Sequence, residues 1–316
     1  MRASIILKNL FLTAFVPFVM ASCNSNDDTP QPQPTDPTIA EIAASDTSFS
    51  FLLAAATKAG LVDELSAPGA LTVFAPTNNA FRAAGFPTQT SVEAADATTL
   101  AGILTYHIIS GKVLAADVPA GPNAAVTVLS GGTVYTTSNS LGVFVNGVKV
   151  VTADIAASNG VVHVIGKVLI PPSGNIVETA VANPDFSYLV AAVLRASEGT
   201  TDVAGVLSGT DPLTVFAPTN QAFINAGFAT IADIQAADPD VLTSILTYHV
   251  VNGRVFSSDL TDGATPSTLN GGTVTIDLGA TATVKGNTNT TASNIVATDI
   301  VTTNGVIHVI DQVLLP

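Results

Sequence analysis

LTVFAPTNNAF fills positions 71–81, and LTVFAPTNQAF fills 213–223. Ten of the eleven residues are the same across an offset of 142 positions, 213 less 71. The opening LTVF alternates and is β-branched, which reads as a strand. Ala75-Pro76 ends it, because the residue before a proline avoids helix. Thr77 or Asn78 then caps a short helix, NAFRAAG, which Gly85 closes. Pro218, Thr219, Asn220 and Gly227 restate the arrangement. The block therefore specifies a strand-to-helix corner. It contains no nucleophile with a base beside it.

Working outward, the rest of the chain repeats at the same distance. LAGILTYHIISGKV (100–113) returns as LTSILTYHVVNGRV (242–255), and LSGGTV (129–134) as LNGGTV (269–274). ADIAASNGVVHVIGKVLIPP (153–172) returns as TDIVTTNGVIHVIDQVLLP (298–316). A period near 140 residues is a domain length, too long for a solenoid repeat. Leu100, Ile103, Leu104 and His107 fall at i, i+3, i+4 and i+7, so 97–107 reads as a helix with His107 on its apolar stripe. Asn159-Gly160 suits a type I′ hairpin turn. The strand after it is apolar on both faces and is expected to be central. IPPSGN (170–175) marks a break. The expected domains are 37–172 and 173–316.

Composition narrows the class. Of 316 residues 47% are hydrophobic, only 11% are charged and none is Trp, which favours compact β-rich units with short helices. Residues 1–22 have Arg2 and Lys8 followed by a short apolar run, and read as a signal peptide. Met20-Ala21-Ser22-Cys23 resembles a bacterial lipobox, with Met20 departing from the usual Leu or Val. Cys23, the only cysteine, is the expected lipidation site. Residues 23–36 are polar and Pro-rich, an extended stalk. Loss of Arg2 and Lys8 with the leader takes the formal charge from −14 to −16. Such a surface repels nucleic acid and anionic headgroups, so membrane contact is expected only through the lipid anchor. The expected location is the bacterial cell envelope, at the outer membrane and exposed on its surface.

TVFAPTN-x-AF, the YH pair and NGVIHVIDQVLLP together resemble the fasciclin domain, and both copies carry the blocks in order. The resemblance implies an α+β fold: two tandem β-wedge domains, each a β-sandwich-like core flanked by short helices. It also implies adhesion or matrix interaction outside the cell. Gly166 departs from the pattern where the second copy has Asp311. In animal members an Asp-Ile pair before the closing block, and the YH pair, are linked with integrin binding. The matching positions are Asp154, Ile155, Asp299 and Ile300, with Tyr106, His107, Tyr248 and His249. The competing structural reading, preferred here, has Asp capping the loop into the hairpin and Ile packing in the core.

The four histidines, His107, His163, His249 and His308, all lie inside repeated motifs. A metal or acid–base pair in each domain is the sharper reading. A neutral core imidazole that ties a helix to a loop is the preferred one. Asp311 is a ligand candidate that Gly166 removes from the first copy. Motifs for serine or metal hydrolysis, phosphate loops and dinucleotide binding are absent from the sequence. The expectation is a non-enzymatic surface lipoprotein with no cofactor or metal. Its partner would be a cell-surface or matrix protein, a polysaccharide, or a second copy of the chain. The alternative is a small-ligand binder or hydrolase using a groove in the fasciclin domain.

Overall fold

The computed structural model describes residues 36–316. The signal peptide, Cys23 and the stalk up to residue 35 lie outside the described residues.

The first repeat opens on helices α1 (Ile39–Ser45), α2 (Ser50–Ala59) and α3 (Val62–Ser66). Strand β1 (Leu71–Pro76) follows, then α4 (Asn78–Ala83), α5 (Gln89–Glu93) and α6 (Ala97–Tyr106). The remainder is extended: β2 (Ile108–Ser110), β3 (Gly121–Thr127), β4 (Thr133–Asn139), β5 (Gly142–Val145), β6 (Val148–Ala157) and β7 (Gly160–Ile165). The second repeat runs through α7 (Ile176–Ala182), α8 (Ser187–Ala196), α9 (Val203–Ser208), β8 (Leu213–Pro218), α10 (Asn220–Asn225), α11 (Ile231–Ala236) and α12 (Pro239–Tyr248). It ends in β9 (Val250–Asn252), β10 (Thr275–Asp277), β11 (Thr283–Lys285), β12 (Ser293–Thr302) and β13 (Gly305–Ile310).

Each repeat builds one sheet, in the orders β2-β1-β7-β6-β5-β4-β3 and β10-β11-β12-β13-β8-β9. The closing-block strands are central, as their apolar faces require. β7 pairs parallel with β1 and antiparallel with β6, and every residue from Gly160 to Ile165 is buried. One face, with Val162 and Val164, packs under the helices. The other, with Ile165 and Phe74, meets Val134, Val145 and Val150 of the curled sheet. β13 and β8 do the same in the second repeat.

The quoted block folds as its chemistry dictates. Thr77 is the helix cap, its Oγ1 accepting from the Ala80 N–H at 3.3 Å. Asn78 does other work. Its Oδ1 accepts from the Phe51 N–H at 3.0 Å, and its Nδ2 donates to the Thr47 carbonyl at 2.9 Å. It therefore pins α2 to the corner. Asn220 repeats this on Tyr188 N and Pro184 O, at 3.0 and 2.9 Å.

The expected type I′ turn at Asn159-Gly160 is not there. β6 and β7 pair Ala157 with Gly160, so Ser158 and Asn159 form the turn, and neither has the positive φ that type I′ requires. Asn159 is a buried anchor. It accepts from Ile39 N at 3.0 Å and donates to the carbonyls of Leu65 and Ala67 at 2.9 and 3.0 Å, satisfying loose ends of α1 and α3. Asn304 makes the same three bonds in the second repeat. The I′ geometry lies instead at Asn146-Gly147, with φ of 47° and 76°, between the paired Val145 and Val148.

Candidate functional site

Both nitrogens of every histidine are engaged by the backbone. His107 sits at the end of α6, its Nδ1 donating to Ile103 O at 2.7 Å while Nε2 accepts from Leu169 N at 2.9 Å. His249 is bound alike to Ile245 O and Leu314 N, each at 2.8 Å. Burial lowers both from 6.5 to about 4, so they are neutral. His163 Nε2 donates to Val113 O at 2.9 Å, which leaves Nδ1 to accept from Asp154 N at 3.2 Å. The Asp154 carboxylate, 4.0 Å from that Nδ1, therefore faces an unprotonated nitrogen and forms no ion pair there. His308 repeats this with Val255 O and Asp299 N, and burial lowers its pKa.

The Tyr-His pairs are core. Tyr106 and Tyr248 are fully buried beside His107 and His249. The Tyr106 hydroxyl donates to Thr133 O at 2.8 Å and accepts from Asn146 Nδ2 at 3.1 Å. That of Tyr248 donates to Thr273 O and accepts from Asn287 N. None of the four can touch a partner while the fold is intact. As direct contact residues they drop out of the candidate set.

The Asp-Ile pairs sit at bulges, where β6 and β12 slip register against their neighbours. Asp154 and Asp299 both have positive φ, 60° and 66°. Each caps a neighbouring segment, not the hairpin loop. Asp154 Oδ1 accepts from Ala115 N at 2.9 Å, and Asp299 Oδ1 from Ser257 N at 2.7 Å. Ile155 and Ile300 are half-buried against the helix-side cores.

Surroundings separate the two. The first repeat lies across the Asp299 loop. Thr137 Oγ1 donates to Asp259 Oδ1 at 3.1 Å, and Asn139 Nδ2 to Ser258 O at 3.0 Å. Asn123 Nδ2 donates to Arg254 O, and the Arg254 guanidinium stacks 4.1 Å from the Tyr135 ring. The Tyr135 ring also lies 6.0 Å from that of Phe256, which is fully buried. Gly147 comes so close that a Cβ there would lie 2.6 Å from the Asp299 carboxyl carbon. The matching strip of the first repeat, from Lys112 to Asp117, is exposed or half-exposed, and the Asp154 side chain is 42% exposed.

The fasciclin domain model matches this chain twice, over residues 47–171 and 184–316. The chain belongs to the fasciclin domain family. Protein sll1483 of Synechocystis is 45% identical over 136 residues, covering 43% of this chain and 74% of that protein. Human periostin is 32% identical over 267 residues, covering 81% of this chain but only 29% of periostin. A solved fasciclin domain pair from the insect cell adhesion molecule Fasciclin I aligns over 84% of this chain and 96% of its own, at 20% identity and a TM-score of 0.41.

Among the described residues of the two fasciclin domains, no group of three His, Cys, Asp or Glu side chains has the geometry to hold a metal. Asp311 accepts from Asn294 N and Ser293 Oγ, at 2.8 and 3.0 Å, and so fixes the start of β12. Ser257, Asp299 and His308 bring together the residue types of a hydrolytic triad, with Ser257 Oγ donating to Asp299. The histidine is fully buried and its Nε2 is occupied by Val255 O, so no base faces the serine. The first fasciclin domain has Ala115 at that position. Sequence reading missed Asn146-Gly147, although an Asn-Gly between apolar runs is a strong hairpin signal. It missed the partner of that turn too, because only the folded chain brings residue 147 to residue 299.

Proposed function

We propose that this fasciclin chain is a non-enzymatic surface-interaction lipoprotein, anchored through Cys23 in a bacterial outer membrane and held off it by the 23–36 stalk. Its contact with a surface protein or polysaccharide is made by the first domain, at Asp154-Ile155 and the adjoining 112–117 strip. The observation that carries this reading is the unequal exposure of two equal loops. Asp154 is open to solvent, while Asp299 faces the first domain across Gly147. A carboxylate with one oxygen tied to Ala115 N keeps acceptor capacity for a partner's donors.

The test is binding of the full chain to protein and glycan arrays, followed by the same measurement on Asp154→Ala and Asp299→Ala. Loss in the first variant alone supports the reading, and equal loss or no loss in both removes it. The anchor is tested apart: Cys23→Ala shifts the protein from the membrane to the soluble fraction.

A further inference from the structure

The helix layer of the second fasciclin domain encloses an apolar cavity of about 100 Å³, while the same place in the first domain holds about 20 Å³. Helices α7, α8 and α9 roof it over β8 and β13, with Ala180, Val193, Val215 and Ile307 in the wall. The sequence explains the difference in size. α1 and α7 align at an offset of 137, so Ile42, which lines the small cavity, corresponds to Thr179, which does not line the large one. Ile108 of the first domain is replaced by Val250, one methylene shorter. At the rim, Val181 and Leu194 are 63% and 61% exposed. Their counterparts are Ala44 and Thr57.

We propose that this cavity is a binding site for the end of a single unbranched alkyl chain whose head is uncharged. Apart from His249 the wall is aliphatic, with no Phe, Tyr or Trp for stacking. Its one polar residue, His249, has both nitrogens committed to Ile245 O and Leu314 N, so the buried part of a guest finds no hydrogen-bond partner. A somewhat larger apolar cavity, of about 150 Å³, stays dry and takes up benzene, so a space of this order can admit a small apolar guest with no bound water to displace. Drug-sized ligands occupy roughly 300 Å³ or more, so only a chain end enters and its head stays at the rim. Nothing there favours a carboxylate. The lining holds no Lys or Arg to pair with one, and the chain carries −14 overall. This site is independent of the Asp154 surface.

The probe is 1-octanol, added to the full chain and followed by calorimetry and by melting, with octanoate at pH 8 alongside. One saturable site, a raised melting temperature and at least tenfold weaker octanoate binding are expected. Ala180→Leu fills the cavity and abolishes octanol binding in a chain that still melts cooperatively. Should that variant fail to fold, Leu194→Thr, which gives the rim the residue of the first domain, weakens octanol binding threefold or more. The proposal is overturned by no saturable octanol binding, as when the cavity admits only a partner protein's side chain. Equal affinity for octanoate, or unchanged binding in whichever folded variant is read, overturns it as well.

Discussion

The loops at Asp154 and Asp299 are built alike and have different neighbours. Both carboxylates cap the backbone of a neighbouring segment, both residues have left-handed backbone, and both N–H groups bond a buried histidine. One loop is open to solvent and the other is overlaid by the preceding domain. Duplication preserved the internal architecture, and the contact between the copies then made their surfaces unequal. Shared motifs therefore report the fold, and the positions that differ between the copies report what each surface does.

The largest effect expected is one that both domains share. His107 and His249 are neutral in the folded chain, lowered from 6.5 to about 4 by burial. Between those values the unfolded chain binds protons that the folded chain refuses. Stability is thus full above pH 6.5 and falls as the pH drops towards 4. The loss approaches roughly 3 kcal/mol per histidine. Urea melts between pH 7.5 and 5 should show it above the main carboxylate range. A flat profile there would mean that the two imidazoles are not excluded from water.

The next effect separates the domains. Phe256→Ala removes a fully buried ring that lies against Tyr135, for an expected loss of about 3–5 kcal/mol. Leu114→Ala, at the matching position, trims a half-exposed side chain and costs about 1 kcal/mol. Chemical denaturation of the full chain measures both. Equal losses would show that the contact between the domains does not cover Phe256 in solution.

Gly147→Ala probes that contact from the other side. Its φ of 76° strains any side chain, and the new Cβ would meet the Asp299 carboxylate. Gly85→Ala carries the strain, at φ 95°, with nothing within 4 Å. Strain alone costs about 1–2 kcal/mol, so Gly147→Ala should be the costlier by roughly another 1 kcal/mol. Melting temperatures of the two variants decide this.

Much of this architecture was legible in the sequence because local chemistry and fold agree there. LTVFAP is a strand, Thr77 is a cap, and the strand after Asn159 is central because both its faces are apolar. Asn159 misled for a physical reason. Asn-Gly is a turn signal, but a buried amide with two donors and an acceptor also satisfies helix ends, and here that second use prevails. The Tyr-His pairs looked like surface candidates by resemblance, although His107 already stood on an apolar stripe. Exposure of Asp154 and cover of Asp299 were not legible at all. That distinction depends on Tyr135, Thr137 and Gly147 reaching residues more than a hundred positions away, and no local pattern encodes the meeting.

The smallest effect on stability should be the most informative about function. Asp154→Asn and Asp299→Asn keep a residue type that tolerates left-handed backbone, so strain is nearly unchanged. Each amide retains one carbonyl oxygen for its cap, on Ala115 N or Ser257 N. In the first domain little else is lost, and a cost below about 0.5 kcal/mol is expected at this exposed position. In the second, the other carboxylate oxygen accepts from Ser257 Oγ, so the charge-assisted part of that bond disappears, for about 1 kcal/mol. Binding should run the opposite way. The nearly silent Asp154→Asn removes the carboxylate that the free loop offers a partner, and capture by whichever surface ligand the arrays identify should fall at least tenfold. Asp299→Asn, under the first domain, should leave capture within twofold. If the two variants lose capture equally, the loops are equivalent in solution, and the cover over Asp299 cannot be what assigns the binding face to the first domain.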